Sequence, residues 1–275
     1  MNPARILRVA SCMAENADAT CRAIAAYVGD RLGMAAEFVD DVPWPAREAL
    51  LDAQAIQLCW LCGLPYVWKA DAGRPVIELC VAPVMRAARY ADQPVYFSDV
   101  VVRRDSRFRA FADLRGGTWA YNEPRSHSGY NVVAHHLAGI GAADGYFRRA
   151  VESGAHQVSL RMIADGAVDA SAIDSTVLEA ELARCPALGG TLRVIDTLGP
   201  SPMPPWVVAT SLAPALRQSI AEILRGMHGD DAGRTILATW GIARFAETVD
   251  GDYDAIRAMA HTAARVRLAA TESAG

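Results

Sequence analysis

Apolar positions in the first third of the chain alternate between two periods. Residues 6–12 form a short apolar run of strand type, followed after Glu15 and Asn16 by Cys21, Ile24, Val28 and Leu32 at helical spacing, with Gly33 placed to end the helix. Residues 37–39 read as a second strand, 46–51 as a short helix and 56–61 as a third strand. Residues 76–82 and 96–103 are further strands, rich in valine and aromatic side chains. Strands alternating with helices in this way predict an α/β fold, with a mainly parallel sheet covered on both faces.

The pattern then repeats its design without repeating its sequence. A helix start at 111–114 precedes a strand at 117–120 and a helix at 128–138. Helices follow near 145–153 and 156–165, then a strand at 170–173, a helix at 175–184 and a strand at 192–196. The proline block from Gly199 to Pro205 is a stiff segment leading into a strand at 206–209. Beyond it only helices are expected, at 214–228, 231–240 and 253–267. The resulting division is a first lobe of residues 1–103, a second of 104–204, and a return of 205–275 to the first lobe.

Composition narrows the classes of function. The 275 residues are 52% hydrophobic and 21% charged with a net charge of −4, so no global basic field exists to hold nucleic acid. No apolar run reaches the ~20 residues of a membrane span. Residues 9–12 have the small-residue pattern that precedes a lipidated cysteine. Yet only Ile6 and Leu7 are strongly apolar before them and Arg8 interrupts, so the segment reads as a first strand. As written the chain is expected in the cytoplasm, or in the periplasm if an export signal has been removed. Most of the six cysteines lie within apolar runs, which suits reduced, core-filling thiols. Cys59 and Cys62 have C-x-x-C spacing but end a strand and lack two further ligands nearby. Adjacent His135 and His136 diverge around a helix by ~100°. No metal or cofactor is expected.

The segment Tyr121-Asn-Glu-Pro-Arg-Ser-His-Ser-Gly-Tyr130 carries most of the candidate chemistry. It leaves a strand, turns at Glu123-Pro124 and opens a helix. Ser126, His127, Ser128 and Gly129 thus arrive where free backbone N–H groups and the positive end of the helix dipole can hold an anion without a lysine. A plain N-cap is the commoner use of Ser126 or Ser128. Similar pairs of readings apply elsewhere. His156 opens a helix and Asp174 leads Asp-Ser-Thr, both ordinary capping positions. Tyr96 sits in an apolar strand and Tyr66 follows Gly63-Leu-Pro, both compatible with packing.

The stretch Phe111-Ala-Asp-Leu-Arg-Gly-Gly-Thr-Trp-Ala-Tyr-Asn-Glu-Pro-Arg-Ser-His-Ser-Gly-Tyr130 resembles the second-lobe signature of the substrate-binding proteins of phosphonate and phosphite ABC transporters. Three more segments resemble that family in the same order: Pro94 to Arg103; Gly154-Ala-His156 with Gly166 to Thr176; and Leu198 to Pro205. The resemblance, spanning roughly residues 5–265, implies a two-lobe periplasmic-binding-protein fold of the second type. In that fold each lobe is a mainly parallel sheet flanked by helices, two hinge crossings join the lobes, and closure traps a small oxyanion such as phosphonate, phosphite or phosphate. It further implies that Ser126, His127, Ser128, Gly129 and Tyr130 wrap the anion and that Tyr96 and His156 approach it. Asp174 and Ser175 line the opposite wall, with Trp60, Cys62 and Tyr66 on the first lobe's side. Charge-assisted hydrogen bonds of ~1.5–3 kcal/mol each would support micromolar affinity. Two positions depart from the family's pattern: His127 replaces a small hydroxyl residue, and Trp60-Leu-Cys62 stands where an aromatic residue often meets the ligand. The implied partners are a small anionic ligand and an ABC permease, or a sensor partner, for a monomer. Cytosolic enzymes share the fold, but no nucleophile–base pair or phosphate loop with lysine is readable here.

Overall fold

The computed structural model describes residues 6–13, 15–142 and 144–269. They form two compact units. Among the described residues the first takes 6–95 and 202–253, the second 96–201 and 254–269. The termini of the expected first and return segments, residues 1–5 and 270–275, lie outside the described residues.

The first unit is built on a six-stranded sheet ordered Ile242–Ala246, Ile77–Met85, Trp206–Ala209, Leu58–Trp60, Leu7–Ser11, Ala36–Phe38. Leu7–Ser11 runs parallel to both its neighbours, whereas Trp206–Ala209 lies antiparallel between Leu58–Trp60 and Ile77–Met85, so the sheet is mixed. All four residues of Trp206–Ala209 are buried, as expected of a central strand covered on both faces. Helix Asp18–Leu32 buries Cys21, Ile24 and Val28 as the spacing requires, and ends on Gly33 in the left-handed region at φ 64°. Ile242–Ala246 is a strand where only helices were expected. Gly241, at φ +68°, stops the preceding helical segment, and buried Ile242 and Phe245 pack along the edge of the sheet.

Arg47 ties this unit together locally. Its guanidinium is buried and forks onto both carboxylate oxygens of Asp18 at 2.8 Å, with a further bond to Ser11 O at 3.1 Å. Removing one partner of such a pair leaves a charge with little water to solvate it. Arg47→Met is therefore expected to cost about 3 kcal/mol, read as a lower urea midpoint at unchanged slope.

The second unit's sheet is ordered Leu192–Pro202, Val95–Arg103, Ala170–Asp174, Thr118–Tyr121, Arg149–Glu152. The last three strands are parallel, and Val95–Arg103 is antiparallel to Ala170–Asp174. Residues 145–153, expected as a helix, are instead the strands Asp144–Phe147 and Arg149–Glu152. Gly145 sits at φ +63°, off the helical path, and the aromatic rings of Tyr146 and Phe147 gain more by stacking into the core beside Phe111 and Trp119. The end of the chain also differs from the expected return to the first lobe. Helix Asp254–Ala263 packs on helix Val132–Gly139, and strand Arg267–Ala269 pairs in parallel with Asp144–Phe147. Ala263, Val266 and Leu268 thereby enter the same core cluster as Trp119 and Val133.

Candidate functional site

Strand Thr118–Tyr121 delivers the chain to Asn122, and the turn through Pro124 leads into a π-helical turn, His127–Asn131, which continues as helix Val132–Gly139. The wide turn shows in its bonds: Asn131 N–H reaches back five residues to Ser126 O at 3.0 Å. Such turns recur at functional sites because they reposition the amides of one helical turn. Ser126 is the N-cap, with extended backbone and its Oγ accepting Gly129 N–H at 3.1 Å. Among the described residues the first-turn N–H groups of His127 and Ser128 meet no acceptor, as at any helix start. The capping reading of Ser126 is thus satisfied and two amides are still left over.

Glycine at 129 is a steric requirement. A Cβ there would stand 2.0 Å from Asn122 Oδ1 and 3.3 Å from His156 Cε1. The closeness brings a residue into the site that sequence reasoning passed over: Asn122, whose buried Oδ1 has no hydrogen-bond partner among the described residues. Its only signal was an asparagine ending a strand before the turn.

His156 opens helix His156–Ala164 and meets the turn through its ring. Its Nε2 lies 2.9 Å from Ser128 Oγ, while Nδ1 is buried with no partner among the described residues. Burial lowers this imidazole to about 4, so it is neutral near pH 7. Leaving a bare Nδ1 lone pair is less costly than leaving a buried N–H, so the proton belongs on Nε2 and is donated to Ser128 Oγ. The hydroxyl proton of Ser128 is then free to turn elsewhere. Ser126 Oγ stands 3.4 Å from Ser128 Oγ and completes the polar cluster.

His127 takes a different place from the one its position in the turn suggested. It is fully buried, with Nε2 3.0 Å from Ser201 Oγ and Nδ1 3.0 Å from Asn131 Nδ2. An amide nitrogen only donates, so Nδ1 accepts and Nε2 carries the proton to Ser201. Burial lowers the ring to about 3. Its side chain is committed to the protein and only its backbone N–H faces the helix start. The bulk that distinguishes it from a small hydroxyl residue is spent on joining the turn to Ser201.

Asp174 ends strand Ala170–Asp174, which packs against the turn, and caps helix Ser175–Arg184 by accepting from Thr176 N at 2.8 Å and Thr176 Oγ1 at 2.7 Å. Burial pushes its carboxyl up to about 6 despite those bonds. Ser175 Oγ accepts Phe97 N–H at 3.0 Å. Tyr96 is buried with its ring 6.4 Å from that of His127, and Tyr130 lies edge-on to Tyr121 at 5.1 Å.

The remaining expected contacts belong to the first unit and mostly serve its packing. Trp60 is buried, donates Nε1–H to Pro204 O at 2.9 Å, and stacks 6.2 Å from Trp206. Tyr66 donates to Asp250 Oδ1 at 2.6 Å and leans on Tyr253. Cys62 is half-buried at the start of helix Gly63–Ala70, while Cys59 turns to Cys12, sulfur to sulfur at 3.5 Å. The C-x-x-C spacing therefore does not make a pair: the contact is between strands.

Within the second unit, then, the structure assembles a helix start with two free amides, two serine hydroxyls and one neutral imidazole. It can hold an oxyanion by dipoles alone, with no formal positive charge. The two α/β units have the fold of a periplasmic binding protein of the second type, and solved structures agree on that fold. One is a binding-protein component of an ABC phosphonate transporter from Pseudomonas aeruginosa, 16% identical, with a TM-score of 0.81 over 93% of this chain and 85% of that one. Another is a Prochlorococcus marinus protein, PhnD1, in complex with methylphosphonate, 17% identical, with a TM-score of 0.82 over 95% and 99%. A Xanthomonas citri protein bound to ATP is 16% identical, with a TM-score of 0.73 over 97% and 99%. The family model for periplasmic substrate-binding proteins of phosphonate ABC transporters matches residues 11–253. The chain belongs to that family, a family of solute-binding proteins of transporters and not of enzymes.

Proposed function

We propose that the chain binds a small phosphonate-like oxyanion at the turn Ser126–Gly129 and delivers it, as a monomer, to the permease of an ABC transporter. The observation that carries this reading is the unpaired first turn: the N–H groups of His127 and Ser128 and the freed hydroxyl of Ser128 converge on one helix start. Family membership and the methylphosphonate bound by the Prochlorococcus marinus protein support the choice of anion. The neutral imidazole of His156 keeps the Ser128 hydroxyl turned outward, and Asp174 and Ser175 stiffen the neighbouring helix start. Trp60 and Tyr66 act by shaping the first unit, since both already spend their polar groups on protein partners.

Calorimetric titration with methylphosphonate, phosphite and phosphate tests the reading, with arginine as a solute of another class. Micromolar binding of at least one anion is expected. Ser126→Ala/Ser128→Ala should weaken it about 100-fold, two lost charge-assisted bonds of ~1.5 kcal/mol each. Binding of arginine with none of the anions would refute the proposal.

A further inference from the structure

The second unit carries a concavity at the opposite end of its sheet from the seryl turn. Strands Thr118–Tyr121, Arg149–Glu152 and Ala170–Asp174 run parallel, so the loops entering them gather at one edge and the loops leaving them at the other. The seryl turn and Asp174 occupy the leaving edge. At the entering edge a cavity of about 490 Å³ is lined by Arg103, Ser106, Arg107, Arg148 and Asp169 among others. A strand of four residues separates the two ends by roughly 13 Å.

The charges around this cavity are unbalanced. Asp169 is already engaged, its Oδ2 accepting Thr118 N–H at 2.7 Å and the Thr118 hydroxyl at 2.8 Å. Arg103 pairs through Nε with Asp105 at 2.6 Å, and its Nη1 lies beside Gly166. Arg107 and Arg148 form no ion pair with any described residue. Ser106 is fixed through its backbone, its carbonyl accepting from Arg109 at 2.8 Å and Arg193 at 3.2 Å, while its buried Oγ has no partner among the described residues. Gly116 and Gly117 spend their amides on Tyr146 O and Leu114 O. The free donors of the wall are thus guanidinium forks, the groups that pair with phosphate oxygens in two-pronged fashion. A chain with net charge −4 has gathered these cations in one hollow.

We infer that this hollow is a second anion site, which takes the di- or polyphosphate group of a small molecule. Its volume sets the class. A single phosphate is little larger than a few waters of ~30 Å³ each and would leave most of the space to solvent. A diphosphate, bare or carried by a nucleoside, has the size and the spread of oxygens to meet several guanidinium groups, and the cavity lies in the ~300–1,000 Å³ range of small-molecule sites.

The test is calorimetric titration of the whole chain with inorganic pyrophosphate and, in a parallel arm, ADP, at low and at near-physiological salt. Saturable binding that weakens with salt is expected in the wild type. It should weaken at least ten-fold in Arg107→Gln/Arg148→Gln and persist in Ser126→Ala/Ser128→Ala. Both arginines are exposed, and matching urea curves confirm intact folding. Equal affinity for the two probes assigns the site to the diphosphate alone; tighter ADP binding adds a nucleoside contact. Three results would overturn the inference: no saturable binding to the wild type, loss in the seryl variant with retention in the arginine variant, or an equal loss in Arg74→Gln/Arg265→Gln, which removes two exposed charges outside the wall.

Discussion

Gly129→Ala is expected to weaken anion binding about 100-fold and to destabilise the second unit by about 2 kcal/mol. The new methyl would sit 2.0 Å from Asn122 Oδ1, well inside contact distance, and 3.3 Å from the His156 ring. Asn122 is short, and its Cγ also stands only 3.1 Å from the new methyl, so turning the amide does not clear the space. The turn must move instead. That breaks the Ser126 cap on Gly129 N–H and the Ser128–His156 bond together, the two contacts that aim the free amides. Calorimetry and urea unfolding read the two effects. Adding Asn122→Ala should recover most of the stability by emptying the space. A Gly129→Ala protein that binds methylphosphonate like the wild type would show that the turn is not where the anion is held.

The second large effect is acid sensitivity. His127 and His156 are buried neutral, with imidazoles at about 3 and about 4 in the folded chain against 6.5 when free. Their contribution is complete above pH 6.5 and is lost as pH falls through the window from 6.5 towards 3–4, because the unfolded chain takes up the protons first. Asp174 has the opposite sign. Its raised carboxyl, about 6 against 3.8, favours the folded state most below 3.8 and loses that advantage as pH rises through 6. Between pH 7.5 and 5 the two histidines cost about 4 kcal/mol and Asp174 returns about 1, a net loss of about 3 kcal/mol. This is a large share of a stability of ~5–15 kcal/mol. Urea unfolding at the two pH values measures it, and His127→Gln should remove about half of the histidine share. A flat profile would mean that the rings are solvated.

The acid effect turns on histidines whose partners lie far along the chain, and this marks where the sequence was legible. Helix Asp18–Leu32 and strand Leu7–Ser11 followed from local spacing, as did the helix start after Ser126, because each is fixed by neighbours within a few residues. Asp174 announced its cap through Thr176 two positions on. The strands Asp144–Phe147 and Ile242–Ala246 were not readable. Each is a short apolar run whose period is ambiguous, decided by aromatic stacking or by an available sheet edge. His127 looked like a donor to ligand because its true partner, Ser201, is 74 residues away. Asn122 was overlooked because its role is the space it denies to a side chain at 129, and no pattern of polarity records that. Trp60 and Tyr66 were placed toward a ligand by the resemblance alone; the acceptors the structure gives them, Pro204 and Asp250, lie 144 and 184 residues further on.

The tail of the chain has a practical consequence. The family match stops at residue 253, yet helix Asp254–Ala263 and strand Arg267–Ala269 close the hydrophobic interior around Trp119 and Phe147. A gene trimmed to the recognisable homology would therefore yield a product with its aromatic cluster laid open to water and prone to self-association, although every residue of the seryl turn were still encoded.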